Sequence, residues 1–170
     1  MTPPRTELDQ RYSVEGAEPT PWSAASDLLG SARIAHLATL RPDGPPHLTP
    51  LIFVWVDDRL LVHTGPEEQK ARNLAADPQC TLMVGTGSAD DGLDVVLEAD
   101  AVVLRDDADL HRFAEALETK YGTDWHYDVV DGELLAAGDH RPIVVELVPK
   151  RGYGFRKDPS SSHTRWTFAE

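Results

Sequence analysis

Apolar residues at every second position mark most of this chain as strand. Val95 to Leu104 shows it best: Val95, Leu97, Ala99, Ala101 and Val103 fall on one face, and Asp94, Glu98 and Asp100 fall on the other with Val96 and Val102. That is a strand with one side in a core and the other partly wet. Ile34 to Leu40, Leu48 to Val56, Arg59 to Thr64, Cys80 to Val84 and Ile143 to Val148 (ended by Pro149) read as further strands, and Gly152-Tyr153-Gly154-Phe155 as a seventh or a strand edge. Turns stand at Arg41-Pro42-Asp43-Gly44 and Asp57-Asp58, and Gly85 to Gly92 is a glycine-rich acidic hairpin loop. Helical spacing appears three times. Thr20 reads as an N-cap with Pro21 at the first helical position, followed by Trp22, Ala25, Ser26 and Leu29 on one face. A short helix carries Lys70 and Arg72 and stops at Asp77-Pro78, and Asp106 or Asp107 caps a helix with Leu110, Phe113, Ala114 and Leu117 on one stripe. Short strands joined by tight turns, with helices appended, predict a mainly β protein built on an antiparallel barrel of six to seven strands. Residues 1 to 19 are polar, Pro-punctuated and aperiodic, which predicts a mobile arm, and residues 20 to 170 form one domain.

Charge and composition narrow the function classes. The apolar fraction of 41% and charged fraction of 26% are those of a globular protein, and no apolar run approaches the roughly 20 residues that span a bilayer. The first residues hold no apolar signal core, so a cytoplasmic location is expected. A net charge of -13 argues against nucleic acid or an anionic membrane as partner. The basic residues Lys150, Arg151, Arg156, Lys157 and Arg165, set against Asp158 alone, form either a solvated tail or a local partner for an anionic cofactor. Cys80 is the sole cysteine and reads as a small buried hydrophobe. The seven histidines form no zinc pattern, the acidic loop fails the calcium-loop spacing, and no Gly-x-Ser-x-Gly elbow occurs.

The chemistry concentrates where the strand ending at Thr64 runs into the helix with Lys70. The first turn of a helix presents unpaired N–H groups and roughly half a positive charge, so a lysine and an arginine beside it complete a phosphate seat. Gly65-Pro66-Glu67-Glu68 is equally an ordinary helix start, whose two glutamates would repel an anion. Residue types alone leave both readings open.

The runs His47-Leu48-Thr49-Pro50-Leu51-Ile52-Phe53, Val62-His63-Thr64, Gln69-Lys70-Ala71-Arg72-Asn73-Leu74 and Asp77-Pro78 resemble the pyridoxamine 5'-phosphate oxidase-like family, as do Leu93 to Ala101, Lys120-Tyr121-Gly122 and Thr164-Arg165-Trp166-Thr167-Phe168. The resemblance spans about residues 20 to 168. It implies the FMN-binding split β-barrel fold and a flavin (FMN) or deazaflavin (F420) dependent oxidoreductase that transfers hydride between cofactor and a small organic substrate. The alternative it leaves is a non-catalytic flavin, F420 or haem carrier of the same fold. Carried over residue by residue, Lys70 would pair with the phosphate, Thr49, Pro50 and Leu51 would line the ring, and His63 and Thr64 would hold the ribityl and phosphate region. Arg72 and Asn73 are further cofactor neighbours, and Arg165 and Trp166 would close the site, from their own or a second subunit, in a homodimer with the pocket at its interface. Many relatives have arginine just before the lysine, where this chain has Gln69.

Overall fold

A computed structural model of the chain describes residues 3–136 and 139–169. Its strands are β1 (Arg5–Leu8), β2 (Ala35–Leu40), β3 (Pro46–Leu51), β4 (Phe53–Val56), β5 (Arg59–Thr64), β6 (Gln79–Gly85), β7 (Leu93–Leu104), β8 (Asp128–Val130), β9 (Glu133–Leu135), β10 (Ile143–Arg156) and β11 (Ser162–Thr167). The α-helices are α1 (Trp22–Ser31), α2 (Gln69–Ala76) and α3 (Asp107–Tyr121).

Antiparallel pairing runs from β3 to β2, then β6, β7, β10, β5 and β4. Because β3 continues into β4 through the single residue Ile52, the circuit closes and the barrel has six staves. The stretch expected as one strand from Leu48 to Val56 is therefore two half-strands. The first is paired to β2 and the second to β5.

β10 explains why the barrel is split. One of its edges pairs with β7 along the whole strand; the other pairs with β5 over Ile143–Leu147 and with β11 over Arg151–Arg156. The change of partner falls at a register shift between Pro149 and Arg151, where proline has no N–H to give to a ladder. Pro149 thus bends the strand instead of ending it, and the two separate elements expected on either side of it are one strand.

β11 carries β1 on its outer edge, in register from Arg5 opposite Thr167 to Leu8 opposite Thr164. The Asp9 N–H donates to the His163 carbonyl at 2.8 Å and the Val14 N–H to the Ser161 carbonyl at 3.0 Å, so residues 5 to 14 are docked and are not a mobile arm. Thr20 also differs from expectation: its N–H donates to Thr164 Oγ1 at 2.8 Å and its carbonyl accepts from Trp166 Nε1 at 3.2 Å, while Pro21 takes the N-cap position of α1.

Two cores lie back to back. Inside the barrel, Leu37, Phe53, Leu60, Leu82, Leu97 and Leu147 pack with Ala25 and Leu29 of α1. Outside it, the α3 stripe of Leu110, Phe113, Ala114 and Leu117 covers Val54, Leu61 and Val144. Burying each large side chain of that stripe contributes about 1.5–3 kcal/mol. Asp106 is the α3 cap, its carboxylate accepting from the N–H groups of Ala108 and Asp109. Arg59 of β5 clamps the helix from below, bonding Glu146 at 2.6 Å and Asp109 at 3.1 Å.

Candidate functional site: the corner between β5 and α2

β5 ends at Thr64, the chain turns through Gly65 to Glu68, and α2 begins at Gln69. Glu68 occupies the N-cap position with extended backbone, but its carboxylate does not cap the helix. It reaches back instead, accepting the Gly65 N–H at 2.8 Å and pairing with the Lys70 ammonium. The first N–H groups of α2 thus lack a side-chain cap and keep their partial positive charge. The Lys70 side chain is only 12% exposed, whereas that of Glu68 is 52% exposed, so the cation lies inside and the acid at the mouth.

Asn73 fixes the helix. Fully buried, it donates from Nδ2 to Thr39 Oγ1 on β2 at 2.8 Å and accepts from Gln69 Nε2 at 2.7 Å. Its polar groups are thereby committed to anchoring α2, and a direct cofactor contact through that side chain would break the anchor. Arg72 is exposed and pairs with Glu67 at 3.0 Å. Thr64 is buried, with its hydroxyl donating to the Gly65 carbonyl at 3.3 Å.

His63 faces away from the barrel interior into a cage of rings, with Phe113 at 5.6 Å, Tyr127 at 5.5 Å and Trp125 at 5.9 Å between centroids. Burial, aided by the charges of His140 and Lys70, pushes its pKa down to about 4, so the imidazole is neutral near pH 7. The Lys70 ammonium beside Glu68 holds that carboxyl below the usual range against the opposing cost of burial.

Thr49, Pro50 and Leu51 lie on β3, the neighbour of the strand to which Asn73 ties α2. Pro50 is exposed, Thr49 half-buried, and Leu51 packs against the barrel core. Arg165 and Trp166 are elsewhere: β5 and β11 share one edge of β10, but Thr64 stands opposite Ile143 at its start, and Trp166 and Arg165 stand opposite Gly152 and Tyr153 near its far end. Arg165 is exposed and pairs with Glu7 of β1 at 3.2 Å; Trp166 is fully buried in the barrel core. Within one chain the structure therefore gathers His63, Thr64 and Lys70 and leaves Arg165 and Trp166 apart. The basic run does not form a free positive patch either. Lys150 pairs with Asp100, Arg151 lies 3.6 Å from Glu98, and Lys157 lies 2.9 Å from Asp94, all across strands.

Sequence reading missed two kinds of residue here. Glu68 reads as a repulsive acid until its Gly65 and Lys70 partners are known, although an acid two residues before a lysine at a helix start was the signal. Trp125 and Tyr127 come from a segment after α3 with no periodicity to place it.

Among the described residues no group of His, Cys, Asp and Glu is arranged to hold a metal, and no helix is long and apolar enough to cross a membrane. A closed antiparallel barrel that splits along one long strand, with a lysine enclosed where a stave passes into a short helix, defines a split-barrel protein. The chain belongs to the pyridoxamine 5'-phosphate oxidase family, whose model matches residues 22–154. Among solved structures, a conserved hypothetical protein, Rv2991, from Mycobacterium tuberculosis is 25% identical with a TM-score of 0.69, the match covering 85% of this chain and 89% of that one. A protein described as an F420 reductase is 21% identical with a TM-score of 0.52, covering 75% and 94%. A heme binding protein from Mycobacterium smegmatis is 18% identical with a TM-score of 0.60, covering 81% and 54%. These last two likenesses are of fold alone. No curated protein matches the chain.

Proposed function

We propose that the chain is an oxidoreductase that binds FMN or F420 and passes hydride between that cofactor and a small organic substrate. The observation that carries the reading is Lys70: an ammonium almost wholly withdrawn from solvent, at a helix start with no side-chain cap, next to a glycine and a buried threonine. Such an arrangement suits a phosphate, which can take a charge-assisted bond from the lysine and further bonds from backbone N–H groups. On β3, Pro50 would meet the ring with its side chain and Thr49 and Leu51 with their backbone, since alternate residues of a strand face opposite ways. The bound ring compound supplies the redox chemistry, and the protein's part is to bind, orient and exclude water. His63 remains neutral and borders the corner from its ring cage on the outer side of β5, without adding charge.

A homodimer belongs to the same proposal. The outer face of β6, β2 and β3 exposes Leu48 (65%), Leu40 (45%) and Met83 (39%), with Pro46 and Pro50 between them on β3. A second subunit covering that face would remove this apolar surface from water. Arg165, too far from Lys70 in its own chain, would then act on the partner's site. A haem carrier is the weaker reading, because His63, the histidine nearest the corner, is caged by three aromatic rings.

The visible absorbance of freshly purified protein, with mass spectrometry of what denaturation releases, tests the cofactor. A flavin spectrum supports FMN; a colourless protein that binds reduced F420 supports F420. Calorimetry showing no heat with either would overturn the proposal.

A further inference from the structure

The Glu68 carboxylate accepts the Gly65 N–H at 2.8 Å with Oε1 and pairs with the Lys70 ammonium through Oε2. Backbone N–H and ammonium are the donors that a phosphate would use at this corner. A Cβ at Gly65 would stand 3.2 Å from Glu68 Oε1, so glycine leaves the carboxylate room to approach without adjustment. The acid is held by donors facing inward while its own side chain remains half open to solvent. It can therefore leave by rotation about its side-chain bonds without disturbing Asn73, which keeps α2 in place from the opposite side.

Resting on the phosphate seat proposed above, we propose that Glu68 is a built-in competitor for that seat, a side chain that sets how tightly the cofactor phosphate is held. Two anions cannot share one ammonium and one N–H, so phosphate enters only in the fraction of molecules whose Glu68 has swung outward. The apparent dissociation constant is the intrinsic one divided by that fraction; if Glu68 sits inward nine-tenths of the time, affinity falls about tenfold. The competition is specific to the phosphate end. A ligand with the same ring and no phosphate would not meet it.

The test is a binding titration of the full chain with FMN and with riboflavin, on the wild type, Glu68→Gln, Glu68→Ala and Lys70→Ala, with F420 run in parallel. Both Glu68 variants are expected to tighten FMN or F420 about tenfold and to leave riboflavin unchanged. Two variants are used because the amide of Gln keeps a hydrogen-bonding group and Ala keeps none; position 68 precedes the helix and is half-exposed, so both should fold. If Lys70→Ala weakens binding while neither Glu68 variant tightens it, the seat stands and the competitor is overturned. If Lys70→Ala also changes nothing, or the wild type and the Glu68 variants bind neither FMN nor F420, the seat itself is wrong and the inference falls with it.

Discussion

At the corner between β5 and α2 a lysine is paired with an acid that solvent can reach, whereas at the junction of β10 and β11 Trp166 is sealed into the barrel core. Both places carry residues that resemblance to the family would put near a cofactor. Their surroundings differ in kind. The partners of Lys70 are polar groups that can be exchanged for those of a ligand, but Trp166 lies on Gly154, where a Cβ would come within 2.4 Å of the indole Cη2, and edge-on to Trp22 at 5.4 Å. Its one polar atom already donates to the Thr20 carbonyl. A residue type that suits a cofactor is thus free to serve one only where its present contacts can be given up at low cost.

The largest effect that would sharpen this contrast comes from Trp166→Ala, expected to cost about 3–5 kcal/mol of stability in urea denaturation, with FMN affinity unchanged in the folded protein. Lost binding at unchanged stability would instead put the indole in the site. Next comes pH. The folded pKa of His63 is lowered to about 4, below that of the unfolded chain, so the unfolded state binds more protons between roughly pH 6.5 and 4 and stability must fall as pH drops through that window. Between pH 7 and 4 this should amount to about 2–3 kcal/mol, and His63→Gln should flatten that part of the profile. A third outcome concerns Lys70→Ala, which should weaken FMN or F420 by about tenfold or more, equal to about 1.4 kcal/mol, while the melting temperature changes little because Glu68, half open to solvent, can turn to water when its partner is removed. Smallest is Arg165→Ala: its exposed pair with Glu7 predicts a stability change under about 1 kcal/mol. A loss of cofactor affinity in that variant, measured by titration, would assign Arg165 to the partner's site and narrow the contrast to Trp166 alone.

How far the sequence could be read depended on whether burial left a periodic trace. β7 is buried on alternate residues over its first seven positions, so it was visible with its end at Leu104, although it starts at Leu93 and not Val95; so was α3, whose stripe faces one surface. β1 left no trace because it joins an edge through its backbone and buries no side chain along Arg5–Leu8. The β8–β9 hairpin did offer a signal that went unused: Asp131-Gly132, both with positive φ, is the two-residue turn that suits such hairpins. β10 was misread because a proline usually ends a strand and here marks a bulge. At the corner, the passage from strand to helix and the position of Lys70 were legible. The commitment of Asn73 to β2 was not, since asparagine in a short polar helix gives no sign of being buried. The run Gly152 to Phe155 could be read only as a strand or strand edge; what its glycines accommodate is the Trp166 ring, which no local pattern names.

Among the described residues β10 is the only strand that serves both the closed ring of staves and the open ribbon made by β11 and β1. A chain cut after Arg156 would keep every rung between the staves and lose Trp166 and Phe168, the rings that plug the interior from the ribbon side. Such a truncation is expected to leave a drained cask: staves in order, stopper gone, and Leu97 wetted from within.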